Sequence, residues 1–485
     1  VILNSFTPVD FTVLFLYLLG ITGWGVWLGR GQSGSSDYFL GNRGLPWPAV
    51  MLSVVATETS TLTFLSIPGI SYLGTLTFLQ VTFGYLLGRI VIAGLLLPAY
   101  FRGDLSTAYV LLGSHFGETT QKVSSAVFMV TRLLSDAVRL FVTAIPMAFI
   151  TGWSYPVSIG VIGLATVVYT YFGGIKAVVW VDVVQMCLYV GGAMVSIIAL
   201  QTLVPGGWSE IITSAREAGK MTIIESSVDL SVPYTIWAGV IGGGFLTMAS
   251  HGTDQLIVQR ILSCGDITAA KKAMIGSGMV VLGQIFIFLM VGLGLWRYYD
   301  AATFASSDQI FAGFVVEALP PGISGLLVAG VFAAAMSSLS SSINALASAT
   351  TYDFFAVMSQ KDDAALLKVG KLSTLVWSVL LIGGAILFIP FSEGSAAVEV
   401  ALSVSSIAYG GLLGAFLVAV FSISKDQVSV ISGMVLAIGT VTFIWLFSRD
   451  AVAWPWFVPI GSAITVLVAG ILGRVRVRSN REPKS

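Results

Sequence analysis

A run of serines marks the segment FAAAMSSLSSSINALASAT, which covers residues 332–350. Five of the six residues from Ser337 to Ser342 carry a hydroxyl group, and their neighbours are small or apolar. Small residues let membrane helices pack closely, which is enough to explain an isolated serine pair. Five hydroxyls exceed that need. Because uncharged oxygens suit a hard monovalent cation that is held weakly, the run predicts half of a sodium site.

Helical spacing gathers part of this run on one face. That face would carry Ala334, Ser337, Ser338, Ser341 and Ala345. A sodium ion here would need further oxygens from unwound backbone nearby. The polar segment 56–59 of another apolar stretch can supply them if the helix is interrupted there.

Charged residues inside apolar segments are a second candidate set, since each costs roughly 2.5–3.5 kcal/mol at a helix centre. They are Glu58, Arg89, Arg132, Asp136, Arg139 and Asp182. The spacing of Arg132, Asp136 and Arg139 allows an ion-pair ladder on one helix face, so mutual neutralisation and a functional role both stay open. His251 is expected to be a hydrogen-bonded structural residue rather than a proton relay.

Two apolar segments contain signals that break helices. Residues 53–69, SVVATETSTLTFLSIPG, crowd polar groups before a proline, and Gly242 to Gly244 form a glycine triplet. Glycine weakens a helix by about 1 kcal/mol per residue. A pair of interrupted helices in corresponding positions of two halves points to a transporter's substrate site. The two breaks are five spans apart, which predicts two five-helix repeats of opposite orientation.

Composition identifies the elements that must position these residues. The 485 residues are 56% hydrophobic and 10% charged, whereas soluble domains average about 25% charged. Apolar runs of about 20 residues recur, the length that crosses a bilayer. We therefore predict an all-α polytopic membrane protein with thirteen transmembrane helices, at 9–29, 46–73, 76–100, 121–150, 154–173, 178–204, 234–256, 273–297, 321–353, 366–390, 396–421, 427–448 and 452–474.

The predicted organisation follows from these spans. It comprises a first helix and inner loop (1–45), repeat 1 (46–204), an outer loop (205–233), repeat 2 (234–421), and two added helices with a short tail (422–485). Of the 24 lysines and arginines, seventeen fall on one side of the predicted membrane and four on the other. The positive-inside rule then predicts a cell-membrane protein with its N-terminus outside and its C-terminus cytoplasmic.

Four motifs together resemble the sodium:solute symporter family. They are DYFLGNRGLP (37–46), YFGGIKAVVWVDVVQ (171–185), TDQLIVQR (253–260) and AAAMSSLSSSIN (333–344). The resemblance covers nearly the whole chain and is closest to the bacterial sialic acid transporters and the sodium-coupled monocarboxylate and multivitamin transporters. It implies the five-plus-five inverted repeat of the leucine-transporter type, and solute uptake coupled to sodium entry by alternating access.

The resemblance also implies ligands for two sodium ions. The first site would use backbone carbonyls and two hydroxyls, from Ala56, Thr59, Ala334, Ser337 and Ser338. The second, present in some members of the family, would use a carboxylate and two hydroxyls, from Asp182, Ser340 and Ser341.

The solute is expected between the two helix breaks. Its expected contacts are Glu58, Ser60, Thr63, Phe78, Gln80, Thr82 and Arg139. Ser60 and Thr63 match polar contacts of the sialic acid branch, and Arg139 falls close to its carboxylate-binding arginine, whose fork geometry suits that group. The chain departs from the branch at Thr82, where a glutamine is expected, and at Glu58, which can pair with Arg139 or meet an amine or hydroxyl. Other monocarboxylates, zwitterions and polyols therefore stay open.

Other functions are weighed against sodium symport. Proton coupling would use Glu58, Asp182 and His251, but serine hydroxyls do not titrate. A sensor would need a signalling domain, and the tail after Arg474 is short. The sequence contains no HExxH, P-loop, CxxC or paired catalytic set, so an enzyme is not expected. We expect a monomer in the lipid bilayer whose partners are sodium and a small solute, with no nucleic acid.

Overall fold

The computed structural model describes residues 6–479, apart from 33, 104, 305–306, 357–361, 392–395 and 449. Within these residues the chain is built from α-helices, with short 3-10 and π-helical turns. The α-helices are α1 (Pro8–Leu28), α2 (Ser35–Leu40), α3 (Trp47–Glu58), α4 (Thr61–Leu73), α5 (Phe78–Phe101), α6 (Ala108–Phe116), α7 (Glu118–Thr151), α8 (Tyr155–Leu203), α9 (Gly207–Glu217), α10 (Gly243–Gly252), α11 (Gln255–Leu262), α12 (Ile267–Tyr298), α13 (Ser307–Glu317), α14 (Ile323–Ala349), α15 (Asp363–Phe388), α16 (Ala396–Val420), α17 (Gln427–Phe447) and α18 (Phe457–Ser479).

Helices lie at each of the thirteen predicted transmembrane positions. Among the described residues, nine are long and apolar enough to cross a bilayer, or ten if the bent pair α3 and α4 counts as one span. The chain is therefore a many-helix membrane protein, and the number thirteen stays a prediction.

The first predicted helix break is present. Helix α3 ends at Glu58, α4 begins at Thr61, and the two axes are bent by 61°. Thr59 leaves the helical conformation, with φ −79° and ψ 89°, and Ser60 is extended. The Ser60 side chain then caps α4 by accepting from the amide of Thr63.

The second predicted break is misplaced. Gly242 and Gly243 keep right-handed helical angles, and a π-helical turn, Ala238–Gly242, leads directly into α10. The interruption comes at Thr253 and Asp254, where Asp254 caps the next helix, α11. The glycines serve close packing instead, because Gly243 and Gly244 let the backbone of this helix approach that of α5, and Gly242 lets it approach Pro455.

Helix α8 joins two predicted spans, 154–173 and 178–204, without a loop. Gly174 lies between them with φ +53° and ψ −155°, so the chain kinks there while hydrogen bonding continues on both sides. A side chain at this position would be strained and would press on the carbonyl oxygen of Tyr38.

Helix α14 occupies the centre of the protein. Every residue from 327 to 349 is buried, and the helix packs against α1, α3, α7, α8 and α15. The serine run therefore lies inside the protein on all sides of the helix rather than against lipid.

The close packing of α5 against the π-helical turn before α10 yields a prediction. A methyl group on Gly84 would collide with the carbonyl oxygen of Gly239, whereas one on Gly94, in the same helix, would meet nothing within 4 Å. Gly84→Ala should lower stability by about 1–3 kcal/mol through overpacking. Gly94→Ala should be neutral or stabilising by about 0.5–1 kcal/mol. Thermal unfolding in detergent distinguishes the two variants; equal midpoints would contradict the close crossing.

Candidate functional site

The break between α3 and α4 exposes backbone oxygens at the predicted positions. The amide of Ser60 would continue the helix by bonding to Ala56, but it donates instead to the carbonyl of Glu58 at 3.0 Å. The carbonyl of Ala56 thus lacks its usual helical donor. The side-chain hydroxyl of Thr59 accepts a hydrogen bond from the amide of Gln284 of α12 at 2.9 Å.

Helix α14 presents an unpaired hydroxyl to this break. The Oγ atom of Ser338 is buried and has no hydrogen-bond partner among the described residues. Ser338 lines a small cavity together with Ser60 and Thr61, and Thr61 donates to the carbonyl of Val331 at 3.2 Å, which ties the break to α14. Buried hydroxyls are nearly always paired, so this one is available to a ligand.

The same cavity contains a cationic group. Its polar lining consists of Ser60, Thr61, Asp136, Arg139, Thr143 and Ser338. Arg139 contacts Asp136 at a long 3.4 Å, its Nε atom has no partner among the described residues, and its side chain is 21% exposed. The arrangement can bind an anion through the guanidinium group and a cation through neutral oxygens.

The predicted ladder on α7 is confirmed, but its first member has a stronger partner elsewhere. Asp136 lies 3.4 Å from both Arg132 and Arg139 and accepts from Ser342 of α14 at 2.5 Å. Arg132 also donates to the carboxylate of Asp254, through Nε at 3.1 Å and through a shorter contact from Nη2.

Tyr409 of α16 completes this cluster. Its hydroxyl accepts from Arg132 at 2.5 Å and donates to Asp254 at 2.8 Å. A continuous polar network therefore runs from the cavity to the N-cap of α11 and joins α7, α14 and α16. The sequence did not predict the roles of Asp254 and Tyr409, because their partners are more than 120 residues away.

Glu58 does not pair with Arg139. It forms an ion pair with Arg89 of α5, and Nε2 of His251 lies 2.8 Å from Arg89 and 3.5 Å from Glu58. Nδ1 of His251 lies 2.9 Å from the hydroxyl of Ser250. His251 is hydrogen-bonded, as predicted. Because Glu58 pairs with Arg89, it does not neutralise the guanidinium charge that Arg139 brings to the cavity.

Five predicted solute contacts are absent from the lining of this cavity: Glu58, Thr63, Phe78, Gln80 and Thr82. Gln80 donates to the carbonyl of Tyr234 at 2.9 Å and accepts from the amide of Glu225 at 3.2 Å, so it holds part of the loop before the π-helical turn. Phe78 packs edge-on against the ring of Tyr234, and Thr82 bonds to the carbonyl of Phe78. Thr63 lies beside Ser60, with 3.5 Å between their hydroxyls.

The second predicted sodium set is arranged around an arginine. Asp182 of α8 accepts from Ser53 at 2.5 Å, from Ser337 at 2.7 Å and from Nη2 of Arg260 at 3.1 Å. Asp182 therefore has partners on three other helices, α3, α14 and α11. Ser341 accepts from the same Nη2 atom.

Ser340, the third member of that set, bonds within its own helix. Ser340 bonds to the carbonyl of Ser337 in its own helix, at 3.1 Å. The sequence did not predict the contact between Arg260 and Asp182. The available signal was an aspartate and an arginine in two apolar segments, neither with a partner nearby in the sequence.

The chain is similar to known proteins in both sequence and fold. A family model described as the sodium:solute symporter family matches residues 38–436. The chain is 27% identical over 471 residues to the sodium/sialic acid symporter NanT of Aliivibrio fischeri, which covers 96% of this chain and 93% of that protein. It is 28% identical over 463 residues to the human sodium/iodide cotransporter, covering 91% and 70%.

A solved structure is similar over almost the full length. It is a substrate-bound outward-open state of a Na+-coupled sialic acid symporter, with a TM-score of 0.88, 27% identity, and coverage of 97% of this chain and 98% of that one. The structural likeness confirms the predicted fold class, an all-α membrane protein with a leucine-transporter-type inverted repeat.

The buried network on α7 generates a prediction. Arg132→Met should destabilise the protein by about 3–5 kcal/mol, because Asp254 would keep its charge in a buried site with hydrogen bonds from Tyr409 and Leu256 but without its arginine. Lys122→Met, on the same helix, removes an exposed i,i+4 pair with Glu118 and should cost at most about 1 kcal/mol. Thermal unfolding of both variants checks the difference, and an equally small loss in both would show that Asp254 has another partner.

Proposed function

The chain belongs to the sodium:solute symporter family, whose model spans most of its length, and we propose that it imports a small organic anion together with sodium by alternating access. Membership makes it a multi-pass membrane protein with Na+ as coupling ion and a small solute as cargo. One observation carries the proposal: the unpaired hydroxyl of Ser338 and the guanidinium group of Arg139 line the same cavity. That cavity offers an oxygen to a cation and a charge to an anion.

We propose that the first sodium binds where α14 meets the broken helix. Its ligands would be the carbonyls of Ala56, Thr59 and Ala334 and the hydroxyls of Ser337 and Ser338. The diverted amide of Ser60 supports the carbonyl ligands, because it leaves Ala56 outside the helical ladder. The free Oγ of Ser338 supports the hydroxyl ligands.

The solute is proposed to carry a carboxylate, with sialic acid favoured. Arg139 is held by a single long contact and has an unpaired Nε, so a carboxylate could engage its fork. Ser60, with Thr63 beside it, would meet the solute's hydroxyl groups. Relatives of 27% and 28% identity are a sodium/sialic acid symporter and a sodium/iodide cotransporter, and both of these solutes are anions. Glu58, Phe78, Gln80 and Thr82 stay in the proposal as solute contacts on the strength of the sequence, although they do not line this cavity.

The remaining parts of the proposal come from the sequence. A second sodium is assigned to Asp182, Ser340 and Ser341. The N-terminus lies outside and the C-terminus in the cytoplasm, because basic residues concentrate on one side. The unit of transport is one chain.

Ser338 tests the sodium site. Ser338→Ala removes one oxygen ligand, worth about 1.4 kcal/mol, and should raise the sodium concentration for half-maximal uptake by about tenfold. Ser324→Ala is the matched control, since Ser324 is buried in the same helix but bonds to the carbonyl of Leu319. Uptake into proteoliposomes at varied sodium, with potassium as replacement, measures both variants. Unchanged sodium dependence of Ser338→Ala would remove this residue from the site.

Arg139 tests the solute site. Arg139→Lys keeps the charge but loses the planar fork, so KM for sialic acid should rise about tenfold or more while the sodium dependence is retained. Arg216→Lys is the control, because Arg216 is an exposed residue of α9. Labelled uptake gives KM, and thermal shifts with sialic acid, lactate and a neutral polyol identify the solute class. An unaltered KM, or a response to the polyol alone, would contradict a carboxylate cargo.

A further inference from the structure

Arg260 and Asp182 form a fully buried ion pair between α11 and α8. Both side chains have 0% exposure, and Nη2 of Arg260 lies 3.1 Å from the carboxylate. The guanidinium group makes two further hydrogen bonds. Its Nε donates to the hydroxyl of Ser53 at 2.9 Å, and its Nη1 donates to the carbonyl of Leu256 at 2.7 Å. The arginine is therefore held firmly rather than lying in an open channel.

The same oxygens form the proposed second sodium site. Asp182 and Ser341 both bond to Nη2 of Arg260, so the cationic group stands between two of the three assigned ligands. Ser337, which also contacts Asp182, belongs to the first sodium set. The guanidinium group thus provides the positive charge that a sodium ion would bring.

Electrostatics makes the two cations alternatives. Asp182 is one negative charge in a site from which water is excluded, and no other ion pair to it is found among the described residues. One cation neutralises this charge, whereas two would leave an uncompensated positive charge in the protein interior, which is strongly unfavourable. Sodium at Asp182 therefore requires Arg260 to withdraw.

Withdrawal of Arg260 would loosen a short helix. Helix α11 has eight residues, and its contacts with α14 include Arg260 on Ser341 and Gln259 on the side-chain oxygen of Asn344 at 2.6 Å. Its N-cap, Asp254, is fixed to α7 through Arg132. Losing the Arg260 contacts would remove the bonds from α11 to Asp182 of α8 and to Ser341 of α14, while Gln259 would still bond to the carbonyl of Phe39 and to Asn344.

We propose that Arg260 is a tethered cation that exchanges with the second sodium at Asp182, so that sodium binding there breaks the Arg260 link from α11 to α8 and weakens the contact of α11 with α14. This inference rests on the proposed sodium-coupled transport and adds a positioning residue to it. In the arrangement described here, Arg260 holds the site. Sodium affinity at Asp182 is then set by competition with a cation that is part of the protein.

The test is a double-mutant cycle read by thermal unfolding in NaCl and KCl, without solute. Arg260→Gln should lower the sodium concentration for half-maximal stabilisation by about tenfold or more, since the competitor is gone. Asp182→Asn and Asp182→Asn/Arg260→Gln should respond to sodium equally, because neither has the carboxylate. Arg132→Gln, which breaks another buried arginine pair, should lose the same stability in both salts.

Two outcomes would overturn the inference. One is an Arg260→Gln protein whose sodium response matches that of the wild type, since the pair would then be purely structural. The other is a gain in sodium affinity that persists in the double variant. If Arg260→Gln fails to fold even in sodium, Arg260→Lys replaces it; its shorter, compact cation should lower the sodium requirement partly, and no change would equally contradict the exchange.

A wild-type measurement distinguishes this inference from the function on which it rests. If sodium neither stabilises the wild-type protein nor drives uptake of any carboxylate solute, the proposed function fails. If wild-type uptake is sodium-dependent but the Arg260 variants keep the wild-type sodium response, the proposed function stands and the exchange alone fails.

Discussion

Helix α14 is enclosed by protein, so each of its hydroxyl groups must find a partner inside the fold. Four of the five in the serine run do so, within the helix or on Asp136, Asp182 or Arg260. Among the described residues, Ser338 has no such partner. A buried unpaired hydroxyl is costly, so this oxygen is the member of the run best suited to receive a ligand. The proposed site depends on it together with the break in the second span and the position of Arg139.

The buried charges follow the same rule across longer distances. Arg89, Arg132, Arg139 and Arg260 each contact a carboxylate, and three of those partners sit on a different helix: Glu58 for Arg89, Asp254 for Arg132 and Asp182 for Arg260. Among the described residues, Arg139 contacts only Asp136 of its own helix, at 3.4 Å. Of these four arginines, Arg139 therefore has the weakest hold on a carboxylate, which is what the proposed solute-binding role requires.

Local sequence features predicted the parts of this arrangement that local physics controls. The polar crowding at Glu58 to Thr61 interrupts the helix as predicted, and the 3–4 spacing placed Arg132, Asp136 and Arg139 in contact. The glycine triplet misled the prediction, because the sequence cannot distinguish a glycine that breaks a helix from one that lets two helices touch. The partners of Glu58, Asp182 and Arg132 were also beyond reach, since those pairs exist only after helices distant in sequence have packed.

Ser337 belongs to the first proposed sodium set, and it donates its one hydroxyl proton to Asp182 of the second. While that proton points to Asp182, the lone pairs of the oxygen are left to accept from a donor or to coordinate a cation. The charge around Asp182 therefore sets the orientation of the Ser337 hydroxyl, which is a ligand of the proposed first sodium site. Thermodynamic reciprocity then requires that occupancy of either position alter the affinity of the other by the same factor. A single rotatable O–H bond is enough to make the binding of two like-charged ions interdependent.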